Sequence, residues 1–161
     1  MTSSDDRQAA VIDGVRELGE RLPFNRHLGV EVVEVQPGWA RTRLPADERL
    51  ANHVGGVHAI AELAPVELAG ALALSSRVTP LFERGLVPVV GALQVRYTAP
   101  AVGELVATAE VGHDVLAPAL VAVDAGDKPR FDVEVVVTDA AATEVLRASL
   151  HFVFIPLPSS A

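Results

Sequence analysis

The chain has 161 residues, of which 50% are hydrophobic and none is cysteine, and its formal net charge is -8. That length supports one domain with its own core, and the acidic balance argues against nucleic acid and anionic membrane surfaces as partners. Without cysteine there is no disulfide framework, no thiolate nucleophile and no cysteine-type zinc site, which makes a reducing cytoplasm the expected location.

Met1 to Asp6 lacks the basic and apolar regions of a signal peptide. Ser3 and Ser4 are N-cap candidates, followed by acids where a helix dipole favours them. Val11, Val15, Leu18 and Leu22 recur at i, i+4, i+7 and i+11, which predicts an amphipathic surface helix within residues 1–22. Leu22-Pro23 ends it, because a residue before proline avoids the helical region. Gly29 to Val35 predicts a Val-rich strand whose alternation slips at Val32-Val33. Pro37-Gly38 is a turn signal, and Trp39 to Leu44 alternates like the returning arm of a hairpin. From Val87 onward the period is two. Leu93, Val95 and Tyr97 form one face of a strand; Leu105, Ala107, Ala109 and Val111 form another. Phe131 to Val137 and Leu146 to Phe154 repeat the pattern. His113 to Pro129 leaves room for one more strand around Leu120 to Val123, and 157–161 reads as a tail.

Asn52 to Leu74 lies between these parts and organises them. It opens as a polar, glycine-rich turn and continues almost wholly apolar, which predicts a long buried helix starting at Val57 or His58. Glu62 and Glu67 interrupt it, and a buried carboxylate is costly unless paired or protonated. His58 and Glu62 are i and i+4, so Glu62 reads as a helix-face charge, solvated or paired with His58. Glu67, between Val66 and Leu68, is harder to solvate. Nine residues separate His58 from Glu67, about 900° at ~100° each, which would set them on opposite sides of one helix. A site that uses both then needs a second copy. Gly55-Gly56 permits a tight turn, and unpartnered N–H groups where a helix begins can polarise a carbonyl oxygen. Pro65, inside the predicted helix, is expected to kink it. Serine-hydrolase, dinucleotide-fold and H-E-x-x-H zinc motifs are absent, and five scattered histidines predict no metal site.

Helix, hairpin, long helix and an antiparallel run of three or four strands predict an α+β domain over 23–156, its sheet wrapped on the long helix. The motif Asn52-x-x-Gly55-x-x-His58, with Glu67 nine residues later, precedes Tyr97-Thr98-Ala99-Pro100-Ala101-x-Gly103-Glu104. Together they resemble the hotdog-fold acyl-CoA thioesterases of the PaaI-like type. The resemblance spans roughly Leu22 to Phe154, including Leu28-Gly29-Val30-Glu31 and Pro37-Gly38. It implies a hotdog fold, edge-to-edge pairing into a homodimer or homotetramer, and active sites at the dimer interface.

Position by position, the resemblance implies that Glu67 is the general base or nucleophile and that Asn52 positions water or substrate. It implies the Ala59 N–H as oxyanion donor and His58 as the residue shaping the turn. Coenzyme A would be part of the substrate, not a cofactor, with Gly56 and Arg96 as contacts and no metal. The chain departs from the family at Ala59-Ile60, where a second glycine or small residue is usual. It departs again at Val89-Val90-Gly91, which lacks the Ser or Thr that some relatives carry. The implied activity is hydrolysis of an acyl- or aryl-CoA thioester. The alternatives are acyl-CoA or acyl-carrier binding without chemistry, and a hydratase, whose acid–histidine motif is not found.

Overall fold

In a computed structural model of the chain, residues 4–157 are described; the Ser3 cap and most of the 157–161 tail lie outside them. The hairpin arms become β1 (Glu31–Gln36) and β2 (Trp39–Leu44). The period-two segments become β3 (Leu86–Tyr97), β4 (Leu105–Glu110), β5 (Arg130–Thr138) and β6 (Glu144–Pro156). All six strands form a single antiparallel sheet in the order β1-β2-β4-β5-β6-β3, so the hairpin continues the sheet built by the later strands. Leu105, Ala107 and Ala109, then Val133, Val135 and Val137, then Leu146, Ala148, Leu150, Phe152 and Phe154 are buried on alternate positions. The slip at Val32-Val33 is a β-bulge: register shifts between Val32 and Glu34, and Val33 turns out to solvent.

The long helix is shorter than predicted. α3 (Leu63–Ser75) has 13 residues and lies across β2, β4 and β5. It does not begin at Val57 or His58, because their amides are used elsewhere: Val57 N–H donates to Ala101 O (2.9 Å) and His58 N–H to Leu50 O (2.7 Å). Residues 59–62 form a separate turn, in which Glu62 N–H donates to His58 O. Pro65 consequently sits in the first turn of α3, where a missing N–H costs nothing, and the expected mid-helix kink does not arise. Its carbonyl accepts from the buried Thr42 hydroxyl on β2 at 2.7 Å, fixing the start of the helix to the sheet.

α1 (Ser4–Arg21) forms as predicted, but on a rotated face. Ile12, Val15 and Gly19 meet the core, whereas Leu18 is 60% exposed. Gly19 decides the rotation, since a Cβ there would come within 2.9 Å of Leu72 Cδ2 on α3. α2 (Pro23–Leu28) starts on Pro23, whose ring suits a first helical position, and α4 (Thr79–Glu83) follows α3. The strand suggested at Leu120 to Val123 is instead part of α5 (Leu116–Asp124). Leu116, Leu120 and Val123, spaced i, i+4 and i+7, pack on the core with Ala119.

β3, on the sheet's edge, pairs with β6 on one side only. Its 12 residues leave Val89, Val90, Leu93 and Tyr97 exposed along an edge that Pro88 and a bulge between Val90 and Ala92 interrupt. No helix among the described residues is long and apolar enough to cross a membrane.

Candidate active site

Asn52 builds the turn ahead of α3. Its side-chain oxygen accepts from the amides of Val54 and Gly56, both at 3.0 Å, and its Nδ2 donates to Val57 O at 3.0 Å. Gly56 completes the loop by accepting from Asn52 N–H at 2.8 Å. A Cβ on Gly56 would lie 2.9 Å from Ala101 O, so the close approach to the 98–101 segment requires glycine here. With its oxygen doubly occupied, Asn52 retains one N–H for a ligand. It acts toward that ligand as a donor.

The turn presents a second donor. Ala59 is exposed, and its N–H meets no acceptor among the described residues. Two contacts hold the peptide that follows: Tyr97 Oη donates to Ala59 O at 2.8 Å, and Ile60 N–H donates to His58 Nδ1 at 3.1 Å. The latter bond makes Nδ1 an acceptor and puts the proton of a neutral His58 on Nε2. His58 therefore shapes the turn through its own ring. Asn52 and Ala59 open on a cleft of about 360 Å³, closed on its other side by Tyr97 and residues 98–101.

Glu62 belongs to the same cleft, contrary to the reading as a helix-face charge solvated or paired with His58. It is 4% exposed, and its Oε2 is sealed from solvent with no hydrogen-bond partner. Burial pushes its carboxyl up to about 7, and burial together with the nearby Glu62 charge raises the Tyr97 phenol. Sequence spacing gave no sign of this, because Glu62 is the N-cap of α3, where the turn 59–62 meets the helix, and His58 lies outside that helix. The motif gives Tyr97 no role; its bond to Ala59 supplies one.

Glu67 is not a wall of the cleft. It is half-buried on α3, in line with Leu63 and Ala71, and makes no hydrogen bond or ion pair among the described residues. Burial raises its carboxyl as well. The chain thus brings Asn52, Ala59 and Glu62 together and leaves Glu67 apart. Arg96 is exposed and, next to Tyr97 in β3, faces the other side of the sheet. The Gly56 N–H is already committed to Asn52. Among the described residues, no group of three histidines or carboxylates is arranged to hold a metal ion.

A long helix laid on a six-stranded antiparallel sheet, with a glycine-rich turn at the head of the helix, defines an α+β hotdog fold. Solved structures bear this out. The chain is similar to a protein of unknown function and probable thioesterase from Pseudomonas aeruginosa, with a TM-score of 0.76 at 21% identity over 88% of this chain and 93% of that one. It is similar to a thioesterase from Haemophilus influenzae, with a TM-score of 0.68 at 18% identity over 92% of each chain. It is also similar to the PaaI protein from the phenylacetic acid degradation operon of E. coli, with a TM-score of 0.70 at 17% identity over 95% of this chain and 96% of that one. At these identities the likeness carries the fold. No curated protein matches the chain. The model of the family described as a domain of unknown function (DUF4442) matches residues 15–154, and the chain belongs to that family.

Proposed function

We propose that the protein hydrolyses an acyl- or aryl-CoA thioester at a site shared by two copies of the chain. The observation that carries the proposal is the pair of free donors, Ala59 N–H and the second Asn52 N–H, on a cleft that lacks Glu67. Two preorganised N–H groups suit the oxygen of a thioester carbonyl, whose charge grows as a nucleophile adds. We assign the base to the half-buried Glu67 of a second copy, the carboxylate that the family resemblance singles out, and not to Glu62 of the same cleft, whose Oε2 is sealed from solvent. The edge of β3 supports the pairing, since an exposed edge strand is a template for another strand.

In this reading the partner's Glu67 takes a proton from water as the water oxygen adds to the thioester carbon. The oxyanion rests on Ala59 and Asn52 until the C–S bond breaks and the thiolate leaves. A carboxyl raised by burial is a stronger base than a solvated one, which suits this step near neutrality. Direct attack by Glu67 as nucleophile would use the same placement. Coenzyme A lies along the subunit interface; Arg96, exposed on the opposite side of the sheet from Tyr97, reaches its phosphates only where they pass the β3 edge, and no other cofactor is required. A cytoplasmic location fits the cysteine-free sequence.

One observation favours a second reading, acyl-CoA binding without chemistry: Ile60, beside Ala59 and 66% exposed, stands where the family resemblance leads one to expect a small residue. Thiol release from a panel of acyl-CoAs by the wild type and Glu67→Gln decides between them. Hydrolysis reduced at least a hundredfold in Glu67→Gln supports the enzyme. Tight binding with no release by either protein establishes the binder.

A further inference from the structure

We infer that Thr42 is a positioning residue for Glu67: its hydroxyl fixes the first turn of α3 to the sheet and so sets the direction in which the carboxylate is offered to a second copy. The inference rests on the reading of Glu67 as the base. Thr42 is wholly buried within β2, between Val32 and Ala107 of the neighbouring strands, and its Oγ1 donates to Pro65 O at 2.7 Å. A hydroxyl is costly to bury without a partner, and the partner here is a helix carbonyl.

The bond matters because the rest of the helix is held without direction. The buried face of α3 is apolar from Val66 to Leu74, and contact between apolar side chains has no preferred angle. Among the described residues, directed bonds to the sheet and its hairpin lie at the two ends of α3. Thr42 holds the first turn, and Ser76, the C-cap, accepts from Gly38 N–H at 2.8 Å. The two bolts are roughly 16 Å apart along the axis.

Glu67 lies beside the first of them. Pro65 is buried, and two positions further on is about 200° round the helix, so holding Pro65 inward turns Glu67 outward. This agrees with its half-buried place in line with Leu63 and Ala71. Rotation of an unbolted first turn would swing the carboxylate at the end of a long side chain. Loss of the bond leaves no orphan, because Pro65 O keeps its helical partner, the amide four residues on. Thr42→Val preserves the shape of the side chain and removes the direction.

The test measures thiol release from a panel of acyl-CoAs, beside thermal melts, for the wild type, Thr42→Val, Thr42→Ser and Ser76→Ala. We expect kcat to fall about tenfold in Thr42→Val with KM within about twofold of the wild type, because base alignment counts only as the transition state forms. Thr42→Ser should recover most of the rate. Ser76→Ala, which removes the remote bolt, should melt earlier than Thr42→Val and yet release thiol faster. Rates that simply follow melting temperature overturn the inference. So does a Thr42→Val kcat equal to the wild type, or a Thr42→Ser protein as slow as Thr42→Val. Should Thr42→Val fail to fold, Thr42→Ala takes its place under the same outcomes. Titration of the Glu67 carboxyl by NMR separates this from failure of the hydrolase reading. If the wild type releases no thiol, the hydrolase is discarded and the titration decides. Burial raises the Glu67 carboxyl, so a midpoint lowered in Thr42→Val and unmoved in Ser76→Ala keeps the role of Thr42. Equal midpoints discard it.

Discussion

Tyr97 Oη donates to the carbonyl of Ala59 at 2.8 Å, tying the last residue of β3 to the turn 38 positions earlier in the chain. That bond fixes the peptide next to the free Ala59 amide. Tyr97→Phe should cost about 0.5–1.5 kcal/mol of stability, toward the lower figure because Tyr97 is 45% exposed. Its larger effect should be on rate, about tenfold in thiol release, because the donor loses its fixed direction. Urea unfolding and steady-state kinetics on the same preparation measure both. An unchanged rate would show that the turn holds itself in place.

Glu62 makes stability depend on pH in a predictable direction. Its folded pKa is raised from 4.5 to about 7 by burial, so the folded chain keeps a proton that the unfolded chain has released between those values. The folded state binds the extra proton, and its stability therefore falls as pH rises through that window. Glu62→Gln removes the dependence. It should match the wild type near pH 4.5 and exceed it at pH 8 by up to about 3 kcal/mol. Tyr97 is the titratable neighbour that senses Glu62, and it stays protonated across this range, its own pKa being raised. Denaturant midpoints at pH 5 and pH 8 check the sign; a constant difference between the two proteins would contradict it.

Gly55 and Gly56 are adjacent but answer to different constraints. Gly56→Ala would drive a Cβ against a backbone oxygen, Ala101 O at 2.9 Å, and press on Asn52 Nδ2 at 3.4 Å. We expect a loss of about 1–3 kcal/mol and at least tenfold in activity as Asn52 and Ala59 shift. Gly55, at φ +83 with nothing within 4 Å of a Cβ, needs only a residue that accepts the left-handed region. Gly55→Asn should be nearly silent by thermal melt and by assay. Equal effects at the two positions would refute the distinction.

A charge on the edge of β3 should act on assembly and spare the fold. Leu93→Lys replaces an exposed apolar residue on a strand paired on one side only. Sedimentation should show monomer for this variant and dimer for the wild type, with far-UV circular dichroism unchanged. Thiol release should fall with the dimer, because Glu67 and Asn52 then have no partner protomer. A monomeric variant of full activity would place the whole site within one chain.

Strands β4 to β6 were legible because each alternates, with Val106 and Val136 as exceptions, and has one face on the core, so local pattern and tertiary burial largely agree. Even the bulge in β1 was visible as the slip at Val32-Val33. The start of α3 was not. Val57, Ala59, Ile60 and Ala61 look like the first turn of an apolar helix, and nothing local reveals that Val57 and His58 donate to Ala101 and Leu50. Hydrogen bonds to distant residues overrode local propensity. Glu62 was misplaced for the same reason, since its reading put His58 and Glu62 on one helix, whereas the helix begins only after Glu62, its N-cap. α5 escaped because Leu116–Asp124 is apolar almost all round and rich in valine, a composition that a buried strand shares.

Pro65 has one further effect. With no N–H to offer the Ala61 carbonyl, it removes the bond that a helix creeping back toward His58 would need; that carbonyl accepts from Ala64 instead. The register of α3 on the sheet is therefore insulated from whatever sequence precedes it. Residues 57–62 can be changed without re-threading the helix. In evolutionary terms, the proline makes the turn ahead of α3 a replaceable module on a fixed frame.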